Sequence, residues 1–454
     1  MIKMTFAAPK SGSGKTFITC ACINLLKRRG FDVCSFKCGP DYIDPMFHRN
    51  ALGIPSYNMD LFFLSEEQAR AHYIQHSKGR TAVVMEGVMG FYDGLGGTET
   101  TASTYHMAET LESPVILVMQ PKGTSLTLAA QIKGLMDFRE GSNIKGVILN
   151  QCSKMLFMTL KKVIEKECGV AVLGYVPDME EANVKSRHLG LYTAGEVTDI
   201  SERLDKITDQ LEESLDVEKL LEICTVEEID VKPSEKKEAE QDVSIAVAYD
   251  DAFCFIYQEN LDILRDKGAD IKFFSPLSDE KLPDGVSAIY LPGGYPELYA
   301  EKLSANASMR KAVREAAAGG MPIVAECGGF QYMGSSLEGE DGKVYEMADV
   351  LKTDAVRKER LVRFGYIDLE AKKDSLLFKA GDIVRAHEFH YWDSSDTGNA
   401  MKAEKPVSHR SWDCCFADEN IYAGYPHLYF LNNEDMATRF VEKAREYAGG
   451  ENAR

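Results

Sequence analysis

Two portions of the chain alternate short β-branched apolar runs with longer amphipathic stretches. In the first, Thr81-Ala-Val-Val-Met85, Pro114-Val-Ile-Leu-Val118 and Gly146-Val-Ile-Leu149 read as strands, and the stretches between them read as crossover helices over a parallel sheet. The texture changes between Glu196 and Gln241, where acids and lysines crowd around a few leucines. There Val231-Lys-Pro-Ser-Glu-Lys-Lys-Glu-Ala-Glu240 has no apolar period and reads as a linker. Strand-like runs resume at Val243-Ser-Ile-Ala-Val-Ala248, Ile271-Lys-Phe-Phe274, Ala288-Ile-Tyr-Leu291 and Pro322-Ile-Val-Ala325. The pattern therefore predicts two α/β domains, 1–195 and 243–454, joined by a helical and acidic segment, 196–242. No tandem repeat or low-complexity tract interrupts them.

Length agrees with two domains, because 454 residues exceed the roughly 250–300 at which one core stops growing. The formal charge of -19, with lysines and arginines scattered, offers no stripe to neutralise a phosphate backbone, so nucleic acid is not an expected partner. The same charge would repel an anionic substrate, which demands a locally basic pocket. Met1-Ile-Lys-Met-Thr-Phe-Ala-Ala8 runs directly into a glycine-rich turn, and no apolar run approaches the roughly 20 residues of a membrane span. The expectation is a soluble, cytoplasmic protein with no membrane partner. Eleven cysteines without a CxxC pair suggest buried thiols in a reducing compartment.

Chemistry enters at Ala8-Pro-Lys-Ser-Gly-Ser-Gly-Lys-Thr16, between the first strand and the helical stretch Phe17–Lys27. This is a P-loop in its strand-to-helix setting. Gly12, Ser13 and Gly14 let backbone amides curl around phosphates, the helix N-terminus adds partial positive charge, Lys15 reaches the terminal phosphates and Thr16 can ligate Mg²⁺. The ligand this predicts is ATP. The match is a variant, since Ala8 and Pro9 stand where the full motif has a glycine. Lys10, five residues before Lys15, has the spacing of the signature lysine of partition-type ATPases, which leaves a dimeric ATPase switch as a competitor to a solvent-facing loop lysine.

Lys37-Cys-Gly-Pro-Asp41-Tyr-Ile-Asp44-Pro-Met-Phe-His48 gathers two carboxylates, a lysine and a histidine around a Gly-Pro turn, and Asn58-Met-Asp60 and Glu86-Gly-Val-Met-Gly-Phe-Tyr-Asp93 add acids. Glu86 ends a buried strand at the edge where open α/β sheets bind ligands, so it can hold Mg²⁺ against the phosphates. In the second domain, Ala325-Glu-Cys327-Gly-Gly-Phe330 places a cysteine at a sharp strand-to-helix turn, expected to expose the thiol and lower its pKa beside a helix N-terminus. Leu291-Pro-Gly293-Gly294 could add an amide for a developing oxyanion. His427 is a candidate base, with His387 and His390 as rivals; that pair lacks other nearby ligands for a metal.

The segments FKCGPDYIDPMFH, EGVMGFYDG, SRHLGL from Ser186, DDAFCFIY, LPGGYPELYA, AECGGFQYM and HEFHYW, in this order, resemble the cobyrinic acid a,c-diamide synthases. The resemblance implies a P-loop synthetase domain similar to dethiobiotin synthetase, followed by a class I-like, flavodoxin-like glutamine amidotransferase domain. It implies that ATP phosphorylates the c and then the a acetate side chain of cobyrinic acid and that ammonia from L-glutamine displaces phosphate. It further implies that Cys327 is the glutaminase nucleophile, that His427 activates it, that Asp44 and Glu86 help bind Mg²⁺ and the activated carboxylate, and that Asn150 lies near the nucleotide base. Tyr429 stands where many class I glutaminases carry a carboxylate, so a dyad oriented by backbone or a more distant group is expected. Lys37, Lys185, Arg187 and the Arg357-Lys358-Glu359-Arg360 run are candidates for the basic pocket; Asp41, Asp44 and His188 complete the expected substrate contacts. The same chemistry on hydrogenobyrinic acid or nickel sirohydrochlorin remains an alternative, and a homodimer stays open as the assembly.

Overall fold

The computed structural model describes residues 1–179, 181, 194–227 and 240–451. The chain divides into two compact units, Met1–Ser234 and Glu235–Arg454.

The first unit runs β1 (Ile2–Ala7), α1 (Lys15–Arg28), β2 (Val33–Cys38), α2 (Ile43–Asn50), β3 (Ser56–Met59), α3 (Glu66–Ser77), β4 (Ala82–Glu86), α4 (Thr104–Thr110), β5 (Val115–Met119), α5 (Leu126–Asp137), β6 (Ile144–Asn150), α6 (Lys154–Cys168), β7 (Ala171–Val176), α7 (Ala194–Ser214) and α8 (Val217–Cys224). The seven strands form one sheet in the order β3-β2-β4-β1-β5-β6-β7, every pairing parallel. Helices cover both faces, which is why β1, β2, β4 and β5 are buried at every residue; β4 and β5 are accordingly almost wholly apolar, whereas β1 and β2 also bury Lys3, Thr5, Ser35 and Lys37. A parallel sheet collects the carboxyl ends of its strands on one edge, so Ala7, Cys38, Glu86 and Asn150 all open there.

The acidic stretch after Glu196 is in its first part structural. Leu204, Ile207, Leu211 and Leu220 join the same core as α1, while Asp205 and Asp209 on the polar side of α7 pair with Arg28 at 2.8 and 2.5 Å. Residues 228–239, most of the segment read as a linker, lie outside the described residues, as do Lys185, Arg187 and His188.

The second unit begins as expected, with β8 (Val243–Ala248), α9 (Gln258–Asp266), β9 (Ala269–Phe274), β10 (Ala288–Leu291), α10 (Ala300–Ala305), α11 (Ala307–Ala318), β11 (Ile323–Glu326) and α12 (Gly328–Met333). A succession of short strands follows: β12 (Ser336–Glu338), β13 (Val344–Glu346), β14 (Asp354–Arg357), β15 (Arg363–Ala371), β16 (Ile383–His390), β17 (Trp392–Ser394), β18 (Met401–Glu404), β19 (Ser411–Cys414), β20 (Phe416–Ala417), β21 (Ile421–Gly424) and β22 (His427–Leu428), before α13 (Asp435–Glu451). The central sheet has the order β20-β21-β11-β10-β8-β9, parallel except at β20. Two further sheets, β13-β12-β14-β17 and β19-β18-β15-β16-β22, were not anticipated by the sequence reading. Among the described residues no helix is long and apolar enough to cross a membrane. Every cysteine is a free thiol, and all are buried except the half-buried Cys168.

Candidate active site

Two centres stand out, one in each unit. In the first, the loop after β1 is shaped by Gly12 at φ 74° and Gly14 at φ 84°, the latter capping α1. Gly14 is fixed by space as well as by φ: a Cβ there would lie 2.1 Å from Asn150 Nδ2. Asn150 donates to the Ser13 carbonyl (2.9 Å) and the Ser13 hydroxyl to the Lys10 carbonyl (2.9 Å), so the loop is tied internally and to the end of β6. Lys10 itself is exposed. Lys15 is buried and donates to the Met89 carbonyl at 2.5 Å. Burial, with Lys37 close by, lowers its ammonium to about 8.

Of the acids read around this loop, Asp41, Asp44 and Glu86 converge, whereas Asp60 and Asp93 accept from backbone amides of their own turns, Phe62 N and Gly90 N. Thr16 Oγ1 donates to Glu86 Oε1 (2.6 Å), and Lys37 Nζ lies between Glu86 Oε1 (2.9 Å) and Asp44 Oδ2 (2.5 Å), with Asp41 Oδ2 at 3.9 Å. β2 and β4 pair directly, Lys37 opposite Glu86, which explains that contact. On its other side Glu86 Oε2 faces His48 Nε2 at 3.4 Å, and His48 Nδ1 is held by Ser35 Oγ at 3.0 Å and Ser56 Oγ at 3.3 Å. Burial opposes charge on both Glu86 and Lys37, but their mutual attraction prevails: the carboxylate is held well below its usual range and the ammonium well above. Asp44 is pushed up by burial and by the like charges of Asp41 and Glu86. Among the described residues no three of His, Cys, Asp and Glu form a ready cage for a metal. The oxygens here that could ligate a hard cation such as Mg²⁺ are the Thr16 hydroxyl with Glu86, and Asp44 across Lys37.

In the second unit Cys327 lies between β11 and α12, capping the helix with φ 47° and ψ −101°, a strained backbone in the left-handed half of the map. Pairing of β11 with β21 sets Glu326 opposite Gly424, and Cys327 N donates to the Gly424 carbonyl (2.7 Å). The chain leaving Gly424 then carries His427, buried in β22, along the same edge. A Cβ on Gly293 would lie 2.4 Å from His427 Cε1, and one on Gly328 would lie 3.0 Å from Gly294 N. The glycine loop after β10 is thus packed against both candidate catalytic segments, and the amides of Gly294 and Gly328 are the candidate oxyanion donors.

One expectation is overturned. The Cys327 thiol is neither exposed nor acidic: it is 7% exposed, and burial, then the charge of Glu297, raise its pKa, with Glu388 and Glu326 adding to the rise. The N–H of Gly328 works the other way but is outweighed, since α12 is only six residues long and its N-terminal field is weak beside burial among carboxylates. Burial holds Glu297 and Glu388 up to about 7. None of these three glutamates was singled out in the sequence; the detectable signal was a carboxylate closing the apolar strand Ile323-Val-Ala-Glu326.

Of the rival histidines, His387 is opposite His427 in the β16–β22 pairing, ring centroids 6.1 Å apart, while His390 stacks on Tyr425 at 3.7 Å and its Nδ1 donates to the Trp392 carbonyl at 2.6 Å. Burial lowers both to about 3. The run Arg357–Arg360 is exposed.

Residues 4–191 match the model of the CobQ/CobB/MinD/ParA nucleotide binding domain, and residues 244–435 that of the CobB/CobQ-like glutamine amidotransferase domain. The chain is 35% identical over 446 residues to cobyrinate a,c-diamide synthase of Caldanaerobacter subterraneus subsp. tengcongensis, covering 97% of this chain and 98% of that one. It is 39% identical over 449 residues to that of Clostridium tetani (98% and 100% covered) and 37% identical over 449 residues to that of Salmonella typhimurium (97% of each). A P-loop centre and a cysteine elbow in separate α/β units, with likeness along nearly the whole chain, place this protein in the cobyrinate a,c-diamide synthase family, the glutamine-dependent amide ligases of cobalamin biosynthesis.

Proposed function

We propose that the chain amidates the a and c carboxylates of cobyrinic acid, with Cys327 and His427 releasing ammonia from glutamine and the P-loop unit activating the acceptor with ATP. The observation that carries this reading is the Cys327 elbow, whose strained φ of 47° aims a nucleophile from the edge of β11 beside the strand pair that leads to His427. His427 takes the thiol proton as sulfur attacks the amide carbon of glutamine. The same proton passes to the departing nitrogen, ammonia leaves, and water hydrolyses the thioester to glutamate.

In the first unit, an oxygen of the acceptor carboxylate attacks the terminal phosphorus of ATP and ADP leaves. Ammonia then attacks the acyl carbon, and phosphate departs as the nitrogen loses a proton. Carboxylate oxygen alone is a poor leaving group, which is why the phosphate site must serve the acceptor. Gly12, Ser13, Gly14, Lys15 and Thr16 bind the phosphates, and Asn150 holds the loop in shape. Lys37 is matched by Asp44 and Glu86, so this cluster brings no surplus positive charge to a meeting of two anions. A Mg²⁺ ion held by Thr16, Glu86 and Asp44 would supply that charge. Lys37, Asp41 and Asp44 line the same edge and are the proposed acceptor contacts, with Arg187 and His188.

The domain limits that go with this reading are 1–195, 196–242 and 243–454. The test is Cys327→Ala: glutamine-driven amidation is expected to vanish while ammonia-driven amidation persists, and Lys15→Ala is expected to lose both. Ammonia failing to support the Cys327→Ala protein, or turnover only with nickel sirohydrochlorin or hydrogenobyrinic acid as acceptor, would refute the division of labour or the choice of ring. ATP hydrolysis that drives no amidation in any of these assays would instead support a nucleotide switch.

A further inference from the structure

Where many class I glutaminases carry a carboxylate two residues after the base, this chain has Tyr429, which is fully buried with its ring packed edge-on against Tyr257. A different carboxylate faces the base. Glu326 Oε2 lies 3.8 Å from His427 Nδ1, and both side chains are almost wholly buried. The other oxygen of Glu326 is fixed: Oε1 accepts from Tyr290 Oη at 3.1 Å and from Leu428 N at 3.3 Å. Asn260 completes the frame from α9. Its amide nitrogen donates to Tyr290 Oη (3.2 Å) and to the Leu428 carbonyl (2.9 Å), and its oxygen accepts from Phe430 N (2.8 Å). The backbone that follows His427, at Leu428 and Phe430, and the carboxylate facing its ring are therefore held by one buried polar network, the kind of arrangement that fixes a side chain in a single pose.

We infer that Glu326 is the positioning residue of the glutaminase centre, holding the proton of His427 on Nδ1 and so keeping Nε2 free to accept the proton of Cys327. The inference rests on the proposed roles of Cys327 and His427. A separation of 3.8 Å exceeds a hydrogen bond, but catalytic pairs often tighten only when substrate is bound. The sequence economy is notable in physical terms: Glu326 and Cys327 are consecutive, so the strand end that aims the nucleophile also sets the carboxylate behind the base.

Glu326→Gln isolates this role. The side chain keeps its length and can still accept at Oε1 from Tyr290 and Leu428, but the atom facing His427 becomes an N–H donor. That forces the opposite tautomer, with Nε2 protonated and unable to act as the base. The expected result for the full-length chain is a fall in kcat for glutamine hydrolysis of at least about 100-fold, a KM for glutamine changed by less than about 3-fold, and ammonia-driven amidation at the wild-type rate. A merely structural role predicts little change from so conservative a substitution, or a KM and unfolding midpoint that move together with kcat. Tyr290→Phe is the second variant, which leaves the carboxylate but removes one tether; kcat is expected to fall by about 3- to 10-fold with KM preserved. If Cys327→Ala abolishes glutamine use while Glu326→Gln and Tyr290→Phe both keep kcat within about 2-fold of wild type, the inference is wrong and the glutaminase reading stands. If Cys327→Ala keeps glutamine use, the reading beneath it has failed.

Discussion

Gly293→Ala is the most direct way to disturb the glutaminase centre without touching a catalytic atom. The backbone of Gly293 lies outside the left-handed region, so alanine meets no conformational penalty there and its whole effect is the added methyl group. That carbon would sit 2.4 Å from His427 Cε1, 3.2 Å from Nδ1 and 3.3 Å from Phe255 Cβ. Carbon atoms pack at about 3.5 Å or more, so the imidazole has to yield by about 1 Å. It has little room, because its side chain is 3% exposed and Glu326 stands 3.8 Å away. A displacement of about 1 Å at a reacting group costs roughly 100-fold in rate, while the overpacking itself costs about 1–3 kcal/mol of stability. The assay compares kcat/KM for glutamine hydrolysis with ammonia-driven amidation in the same preparation. The stability term can be read separately, because the two tryptophans of the chain, Trp392 and Trp412, both belong to the second unit. A fall of roughly 100-fold with glutamine and an unchanged rate with ammonia is expected. A variant within about 3-fold of wild type with glutamine would refute the placement of His427 beside this loop.

Lys37→Met should leave Asp44 and Glu86 buried without their cation and cost about 3–5 kcal/mol in the first unit, along with amidation from both nitrogen sources; hydrogen exchange at β2 and β4 measures the loss, and a change under about 1 kcal/mol would contradict the buried triad. The second unit should weaken in acid through its buried histidines. His390 stays neutral in the fold with a value near 3 against about 6.5 when unfolded, so the unfolded chain binds the extra proton, and stability is complete above about 6.5 and declines as pH falls toward 3. At pH 5 this amounts to about 2 kcal/mol, with a similar contribution from His387. Denaturant unfolding followed by tryptophan fluorescence at pH 7 and pH 5 should show that dependence, and His390→Asn should reduce it by about 2 kcal/mol; an identical dependence in the variant would show that His390 does not titrate on unfolding.

The parallel layers of both units were legible because a strand buried on both faces is mostly apolar, and β4, β5, β6, β8, β10 and β11 each carry a run of consecutive apolar residues. The two additional sheets were not. β15 and β16 mix exposed and buried positions along their length, so Phe364, Ile383 and Phe389 are exposed while Ile367, Leu369 and Val384 are core. An even scatter of apolar residues with so many histidines and acids among them gives a weak signal against the continuous runs elsewhere. The P-loop, by contrast, is a local motif whose function depends on a contiguous backbone, so its glycines and lysine could be read one by one. The convergence of Lys37, Asp44 and Glu86 was partly readable, since each lies at or just past a strand end on the ligand edge.

What the sequence could not yield is whatever depends on two segments meeting. The thiol of Cys327 was expected to be acidic because its local setting, a helix N-terminus, lowers a pKa; burial outweighs that, joined by carboxylates at residues 297, 326 and 388, two of which are more than 29 residues away. Likewise a search for the third catalytic group two residues beyond His427 finds Tyr429, because that search assumes the group travels with the base. In the arrangement inferred here the group, Glu326, travels with the nucleophile instead. β22 delivers His427 to the end of β11, and the last residue of β11 is Glu326, so strand pairing between residues a hundred positions apart does the work that local spacing does in other glutaminases. A carboxylate at the close of an otherwise apolar buried strand has to be matched by a partner, since its burial is otherwise too costly. That demand was present in the sequence at Glu326; the identity of the partner required the fold.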